Sequence, residues 1–248
     1  MRIALISDIH GNMVALEAAL ADIQRGGADQ IICLGDVALD GPQPGEVIER
    51  LRDLDIPVIK GNTDHWLLNP IPQSAEGEDE QQESAIEQWT AAQLSAAQRE
   101  LVMDYHDKLW LDFGHGRTLL CYHGSPLSFN DRIEPDTPLD DLDRWFAAER
   151  ALVNAGGHTH EPMIRRYGSS TLVNPGSVGL PLVKPTGASA IHPAWAEYAL
   201  VEWHEGALSI ALRRVPYMLG DLVAVVESSS MPHKDAWLAD WRESESSL

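Results

Sequence analysis

The stretch Arg2-Ile3-Ala4-Leu5-Ile6-Ser7-Asp8-Ile9-His10-Gly11-Asn12 opens the chain and decides how the rest is read. Residues 2 to 7 are a short apolar run of strand length. A helical pattern follows from Met13 to Arg25, with Met13, Leu16, Leu20 and Ile23 on one face and Gly26-Gly27 as its stop. This is a β-loop-α unit whose loop carries an Asp and a His. It recurs: Ile31-Ile32-Cys33-Leu34 leads through Gly35-Asp36 into a helix near Pro44 to Leu54, and Pro57-Val58-Ile59 leads through Gly61-Asn62 into a helix from Asp64 onward. Continuous apolar strands alternating with helices predict a largely parallel or mixed sheet covered on its faces.

Outward from this core the pattern breaks at residues 73 to 83, where Glu76, Glu78, Asp79, Glu80 and Glu83 make an acidic stretch that reads as an exposed loop. Helical periodicity resumes over Ser84 to Leu94, and Ser95 with Gln98 forms a capping-box pattern opening a second helix to about Tyr105. Residues 73–106 thus read as a helical insertion within a single domain spanning 1–248. Beyond it, Lys108 to Phe113 and Arg117 to Tyr122 flank Gly114-His115-Gly116 as a hairpin. A helix is expected over Leu139 to Ala151 and a short strand over Leu152 to Ala155. Ile164 to Tyr167, Thr171 to Val173, Glu197 to Trp203 and Leu208 to Val215 read as strands, and residues 230–248 as a polar tail with a short helix from Ala236.

Composition narrows the function. The 248 residues are 44% hydrophobic and 23% charged, with 19 Gly and 15 Pro, an ordinary globular make-up. A chain of this size buries roughly 70% of its unfolded surface, so a metal is not needed to hold the core and would serve function. Lys+Arg 18 against Asp+Glu 38 gives a net charge of −20, which argues against backbone-driven contact with long nucleic acid. No run approaches ~18 apolar residues, so no membrane span is expected. Cys33 and Cys121 each sit in an apolar run and read as reduced and buried; with a strand starting at once and leaving no room for a leader, a cytoplasmic location is expected.

Metal-type side chains fall where the apolar strands end. Asp8 and His10 follow the first strand, Asp36 the second, Asn62 the third, His123 the hairpin arm, and His158 with His160 the strand after that. In open α/β sheets the carboxyl ends of strands are where ligands bind, so five segments deliver seven donors to one edge. Each fragment alone is commonplace; their joint placement is not. Four His, two Asp and one Asn suit manganese, iron, zinc or nickel better than calcium or magnesium, and seven donors are too many for one such ion. Two divalent ions sharing a bridging carboxylate are the economical reading, with manganese placed first.

These motifs, Asp8-Ile9-His10, Gly35-Asp36, Gly61-Asn62, His123-Gly124 and Gly157-His158-Thr159-His160, resemble in order those of the calcineurin-like metallophosphoesterase superfamily. Ser7 to Asn12, His123-Gly124-Ser125-Pro126 and Asn174-Pro175-Gly176-Ser177-Val178-Gly179 are similar to its small prokaryotic branch of phosphodiesterases and diadenosine-polyphosphate hydrolases. The resemblance covers about residues 1 to 216 and implies a four-layer αββα sandwich. It implies Asp8, His10 and His160 on one ion, Asn62, His123 and His158 on the other, Asp36 bridging, and hydrolysis of a small anionic phosphoester by a hydroxide held between the ions.

The chain departs from the superfamily's protein phosphatases, which have a His directly after the Gly-Asn and an Asp three residues after the Gly-Asp. Thr63 and Leu39 stand there, leaving His65 or Asp40 as substitutes for the leaving-group acid. Asp64 is expected to orient a ligand from behind. Asn12 either touches substrate phosphate or caps the first helix. Trp66 and Phe129 are read as core or as base-stacking residues, and His106, His115, His192, His204 and His233 as surface. A serine hydrolase using Ser125 or Ser177 lacks a Gly-x-Ser-x-Gly elbow, and a metal-free scaffold on the same fold leaves seven intact donors without purpose. Monoester, cyclic or linear diester and dinucleoside polyphosphate all fit the same metal pair, and oligomeric state is open.

Overall fold

Strand β1 (Arg2–Ile6) is covered on both faces, and its alternation sorts the layers. Ile3 and Leu5 join one core cluster, whereas Ala4 and Ile6 join another together with Leu16, Leu20 and Ile23 of helix α1 (Met13–Gly26). Strand β2 (Gln30–Cys33) does the same, with Ile32 turned one way and Cys33 the other. This two-sided burial is why these strands read as unbroken apolar runs.

A computed structural model describes residues 1–69, 77–184 and 189–243. After β2 come α2 (Pro44–Asp53), α3 (Asn62–Leu68), α4 (Glu78–Gln93) and α5 (Ala96–Met103). The hairpin β3 (Leu109–Gly114) and β4 (Arg117–Cys121) leads to α6 (Leu139–Trp145), β5 (Val153–Ala155), β6 (Met163–Tyr167) and β7 (Ser170–Asn174). The chain ends on β8 (His192–Pro193), β9 (Trp195–His204), β10 (Ala207–Pro216), α7 (Leu219–Ser228), α8 (Lys234–Leu238) and β11 (Trp241–Arg242).

One sheet has the order β10-β9-β1-β2 and another β3-β4-β5-β7-β6. The parallel pairs β1–β2, β4–β5 and β5–β7 place the carboxyl ends of β1 and β2 in one sheet, and of β4 and β5 in the other, as the exits from which the loops leave. Ile3, Leu5, Leu119, Cys121, Val153, Ala155, Ala199 and Val201 share one cluster, so the two sheets pack face to face. Helices α1 and α2 cover the first sheet, and Leu142 and Phe146 with Leu120 and Tyr122 cover the second. This is the expected four-layer αββα sandwich. Both cysteines are free and buried.

Several local expectations are corrected. Pro57 to Ile59 makes only single bridges, Val58 to Cys33 and Ile59 to His106, because just a few residues separate the turn at Asp55 from Gly61. Helix α4 starts at Glu78 and not at Ser84: the acidic run supplies its first turn, where Glu80 meets the positive end of the helix dipole. Residues 73–76 of the expected loop lie outside the described residues. Helix α6 stops at Trp145, where Phe146 turns inward to 1% exposure, and not at Ala151. Helix α7 was not expected at all. The C-terminal helix begins at Lys234, not Ala236, and is followed by β11, which pairs in parallel with β8; residues 244–248 of the expected tail lie outside the described residues. No helix among the described residues is long and apolar enough to cross a membrane.

Leu5, fully buried between the two sheets, is the test of this layering. Leu5→Ala is expected to lower unfolding free energy by about 2–5 kcal/mol in a denaturant titration, as for a truncation that leaves a closed cavity; a loss under about 1 kcal/mol contradicts the face-to-face packing.

Candidate metal centre

The loops leaving β1, β2, β4 and β5 converge at one end of the sandwich. Asp8 N–H donates to Gly35 O at 2.9 Å and His10 N–H to Asp36 O at 3.1 Å, binding the first two loops to each other. His158 N–H donates to the Asp8 carboxylate at 3.1 and 3.2 Å and so joins the two sheets. Ser177 Oγ–H donates to Asp8 O at 2.7 Å, and Gly179 N–H to the same carbonyl at 3.0 Å, bracing this turn from outside.

The backbone here is strained. Asp8 (φ 55°), His10 (φ 47°), Asp36 (φ 55°), His158 (φ 70°) and His160 (φ 58°) all occupy the left-handed region. Each costs on the order of 1–2 kcal/mol for a non-glycine residue, and such strain concentrates where function fixes the geometry. Gly61 shows the crowding from the other side: a Cβ there would lie 2.0 Å from Asp36 Oδ1. Only glycine lets α3 start against the Asp36 carboxylate.

Six side chains form two sets whose donor atoms lie within 4.8 Å of one another: Asp8, His10 and His160, and Asp36, His123 and His158. The ring orientations carry the chemistry. His10 Nδ1 lies 3.0 Å from Leu39 O, His123 Nδ1 2.8 Å from Leu34 O, and His160 Nδ1 2.8 Å from Leu180 O. A carbonyl only accepts, so each Nδ1 carries the proton and each Nε2 of a neutral ring presents a lone pair. Those lone pairs face other acceptors. His10 Nε2 is 3.1 Å from His160 Nε2; His123 Nε2 is 3.0 Å from Asn62 Oδ1 and 3.3 Å from Asp36 Oδ2; His160 Nε2 is 3.4 Å from Asp8 Oδ1. Asp36 Oδ2 also lies 4.0 Å from His10 Nε2, placing its carboxylate between the two sets. Unprotonated acceptors confronting one another at these distances repel unless a metal ion or a proton lies between them, and nitrogen and carboxylate oxygen are the donors that mid-row divalent metals take.

Without a cation the chain answers with protons. Burial opposes charge on His123, yet the Asp36 carboxylate outweighs it and holds the imidazole up at about 9; Asp8 likewise raises His160 against burial. Burial, then the charge of His160, pushes His10 down to about 4, and burial with His123 does the same to His158. Burial alone would raise Asp8 and Asp36, but His160 and His123 hold them below the usual carboxylate range.

The remaining predicted residues separate. Asn12 caps α1, accepting from Ala15 N–H at 3.0 Å and donating to Gly179 O at 3.0 Å, with its side chain fully buried. Asp64 accepts from the N–H groups of Asp36 and Gly61 at 2.9 Å and of Val37 at 3.0 Å, so these hydrogen bonds brace the Gly35-Asp36 loop through the backbone and not through a ligand imidazole. Burial, then Asp36, raises its carboxyl to about 6. His65 is exposed and stands 5.3 Å from the Phe129 ring. Thr63 N–H donates to Asp36 Oδ1 at 3.0 Å. Asp40, with φ 76° and 3.7 Å from His10 Nδ1, is raised to about 7 by burial and then by Glu87, Asp36 and Glu83. Ser125 and Ser177 are both tied into loop hydrogen bonds. Sequence reading missed Leu34, Leu39 and Leu180, whose carbonyls aim the imidazoles; a backbone carbonyl leaves no residue-type signal.

Metal binding needs neutral imidazole. Because His123 titrates near 9 and is protonated below that pH, binding at neutral pH displaces its proton, and apparent affinity rises with pH up to about 9. Calorimetric titration with Mn²⁺ at neutral pH in buffers of different ionisation enthalpy is expected to show release of at least one proton per chain; binding with no proton release contradicts this electrostatic picture.

The family model described as calcineurin-like phosphoesterase superfamily domain matches residues 1–194. Phosphodiesterase YfcE of Escherichia coli K12 is 28% identical over 192 residues, covering 73% of this chain and 81% of that protein. Uncharacterized protein MJ0912 of Methanocaldococcus jannaschii is 47% identical over 66 residues, a match spanning only 27% of either chain. The crystal structure of a metallophosphoesterase from Sphaerobacter thermophilus superposes with a TM-score of 0.73 at 26% identity, covering 97% of this chain and 98% of that one. With the fold, the two donor sets and the family match in agreement, the chain belongs to the calcineurin-like phosphoesterase superfamily, whose members are phosphoric ester hydrolases.

Proposed function

We propose that this chain is a dinuclear-metal-dependent phosphodiesterase acting on small phosphoesters. The observation that carries the reading is the convergence of three imidazole Nε2 atoms and the Asp8 and Asp36 carboxylates at one end of the sandwich, a donor set suited to divalent cations. Two divalent ions, when bound, supply the charge that polarises the phosphoryl oxygens and draw a nucleophile from water at neutral pH. Asp8, His10 and His160 are assigned to one ion, Asn62, His123 and His158 to the other, and Asp36 to both. Manganese is placed first for this donor set, with iron, zinc and nickel as the other fitting ions. Asp64 and Asn12 are positioning residues, one holding the Asp36 loop and the other the start of α1.

Thr63 and Leu39 supply no acid at the positions the protein phosphatases use, which favours esters with readily departing groups over phosphoproteins. The name of the Escherichia coli relative supports a diester substrate. Exposed His65, in the middle of α3, is the proposed proton donor to the leaving group. Free, buried cysteines support a cytoplasmic setting.

Chelator-treated protein given Mn²⁺ is expected to hydrolyse bis-p-nitrophenyl phosphate faster than p-nitrophenyl phosphate. Asp36→Asn should lower kcat/KM by about a thousandfold or more while the protein still folds, as read by circular dichroism; full activity with full metal occupancy in that variant contradicts the mechanism. His65→Gln should slow hydrolysis of a dialkyl diester, which must expel an alkoxide, at least tenfold more than that of a diester that expels nitrophenol, whereas equal slowing removes His65 from that role.

A further inference from the structure

A cavity of about 780 Å³ adjoins the His10–His160 half of the centre. Two of its lining residues also touch the centre: the Asp40 carboxylate lies 3.7 Å from His10 Nδ1, and Leu180 O accepts from His160 Nδ1–H at 2.8 Å. Its volume is that of a small-ligand site. The walls come from α4 on one side and from the segment around α8 and β11 on the other, and neither the Asp-x-His nor the Gly-His-x-His motif contributes a lining residue.

Besides Gln82, His192, whose Nδ1–H donates to Pro181 O at 3.0 Å, and His233, the aromatic and polar lining is of two kinds. Trp66, Trp237 and Trp241 supply indole faces, with the Trp237 and Trp241 rings 5.1 Å apart and Trp237 anchored by its Nε1–H to Asp40 O at 2.8 Å. Trp241 is 3% exposed, and its buried indole N–H has no partner among the described residues. The second kind is carboxylate: Asp40, Glu83, Glu87 and Asp240 line the cavity, and no Lys or Arg does so among the described residues. Glu83 and Glu87 stand one helical turn apart on α4, a repulsive pairing of like charges, and α4 carries no Lys or Arg to relieve it. Neither glutamate forms an ion pair among the described residues, and α8's own Lys234 is turned away, its ammonium donating to Glu227 O at 2.8 Å. The four carboxylates do not close on one another as a metal set does, since the only sets of that kind among the described residues are the two of the centre.

Indole faces beside unpaired carboxylates are the surroundings that hold an organic ammonium: the rings attract the cation over a broad surface and the carboxylates supply charge at its edge. We infer that this cavity binds the ammonium or quaternary ammonium end of a phosphoester whose phosphorus lies at the metal centre, making amino-alcohol phosphoesters the preferred substrates. The inference rests on the phosphoesterase reading for the ester and on the cavity alone for the amine. In the hydrolysis, water's oxygen ends on phosphorus, the P–O bond to the other, more readily departing ester group breaks, that group leaves with a proton from the water, and the amino-alcohol phosphate is the second product.

Two readouts separate these parts. Calorimetric titration of the full chain with tetramethylammonium chloride, at constant ionic strength set by sodium chloride, is expected to show saturable binding. The neutral isostere 3,3-dimethylbutan-1-ol should bind at least tenfold more weakly, and the Glu83→Gln/Glu87→Gln variant should lose at least tenfold in affinity for the cation. Choline p-nitrophenyl phosphate should exceed 3,3-dimethylbutyl p-nitrophenyl phosphate in kcat/KM by at least tenfold with Mn²⁺ present, and that ratio should fall towards one in the variant. No saturable tetramethylammonium binding, equal binding of the neutral alcohol, or tighter binding of adenosine overturns the inference, the last in favour of a neutral aromatic ligand. Tetramethylammonium binding without hydrolysis of either ester or of bis-p-nitrophenyl phosphate supports the cation site and overturns the phosphoesterase reading instead.

Discussion

Three backbone carbonyls at loop positions govern the centre. By accepting from the Nδ1–H groups of His10, His123 and His160, the carbonyls of Leu39, Leu34 and Leu180 fix the tautomer of each ring and aim its Nε2 lone pair inward. Second-sphere hydrogen bonds of this kind are what orient metal-binding histidines in general. The consequence is an arrangement unfavourable to the protein alone, with two Nε2 atoms 3.1 Å apart and carboxylate oxygens close behind. The left-handed backbone at five of the same positions adds to that cost. Both are sustained by the rigid two-sheet core, whose strands end where the loops begin. A cation relieves the electrostatic part, so the site is organised before its metal arrives.

The fold was legible because strands covered on both faces leave an unbroken apolar run. Ile3 and Leu5 against Ala4 and Ile6 show that each residue of such a run has its own core to enter. The clustering of Asp8, His10, Asp36, His123, His158 and His160 was legible for a related reason: strand ends announce themselves, and Asp and His directly after them are placed by the sheet. What was not legible depends on distant pairing. Helix α7 has no capping side chain at Met218 to mark its start, and β8 and β11 are two-residue strands that exist only because His192 and Pro193 meet Trp241 and Arg242. His192, read as a surface residue, is half-buried against Trp241 for the same reason. Asp64 was expected behind a ligand imidazole, whereas its bonds go to three backbone amides that no residue pattern reveals.

A net charge of −20 opposes an anionic substrate at long range, and the proposed centre answers it locally. Surface charges more than about 8 Å away are largely screened at physiological salt. In the proposed centre the phosphoryl group would meet instead two divalent ions, which would outweigh Asp8 and Asp36. The acidic surplus then acts where it is concentrated and unscreened, as in the cavity beside His10 and His160. On the proposed reading, a substrate bearing an anion at one end and a cation at the other would meet favourable charge at both.

The central claim is that two ions share Asp36. Electron paramagnetic resonance of the protein loaded with Mn²⁺, alongside elemental analysis, tests it directly. Two manganese ions per chain with the multiline spectrum of a spin-coupled pair is the predicted result. One ion per chain, or two giving the simple hyperfine pattern of isolated ions, would contradict it.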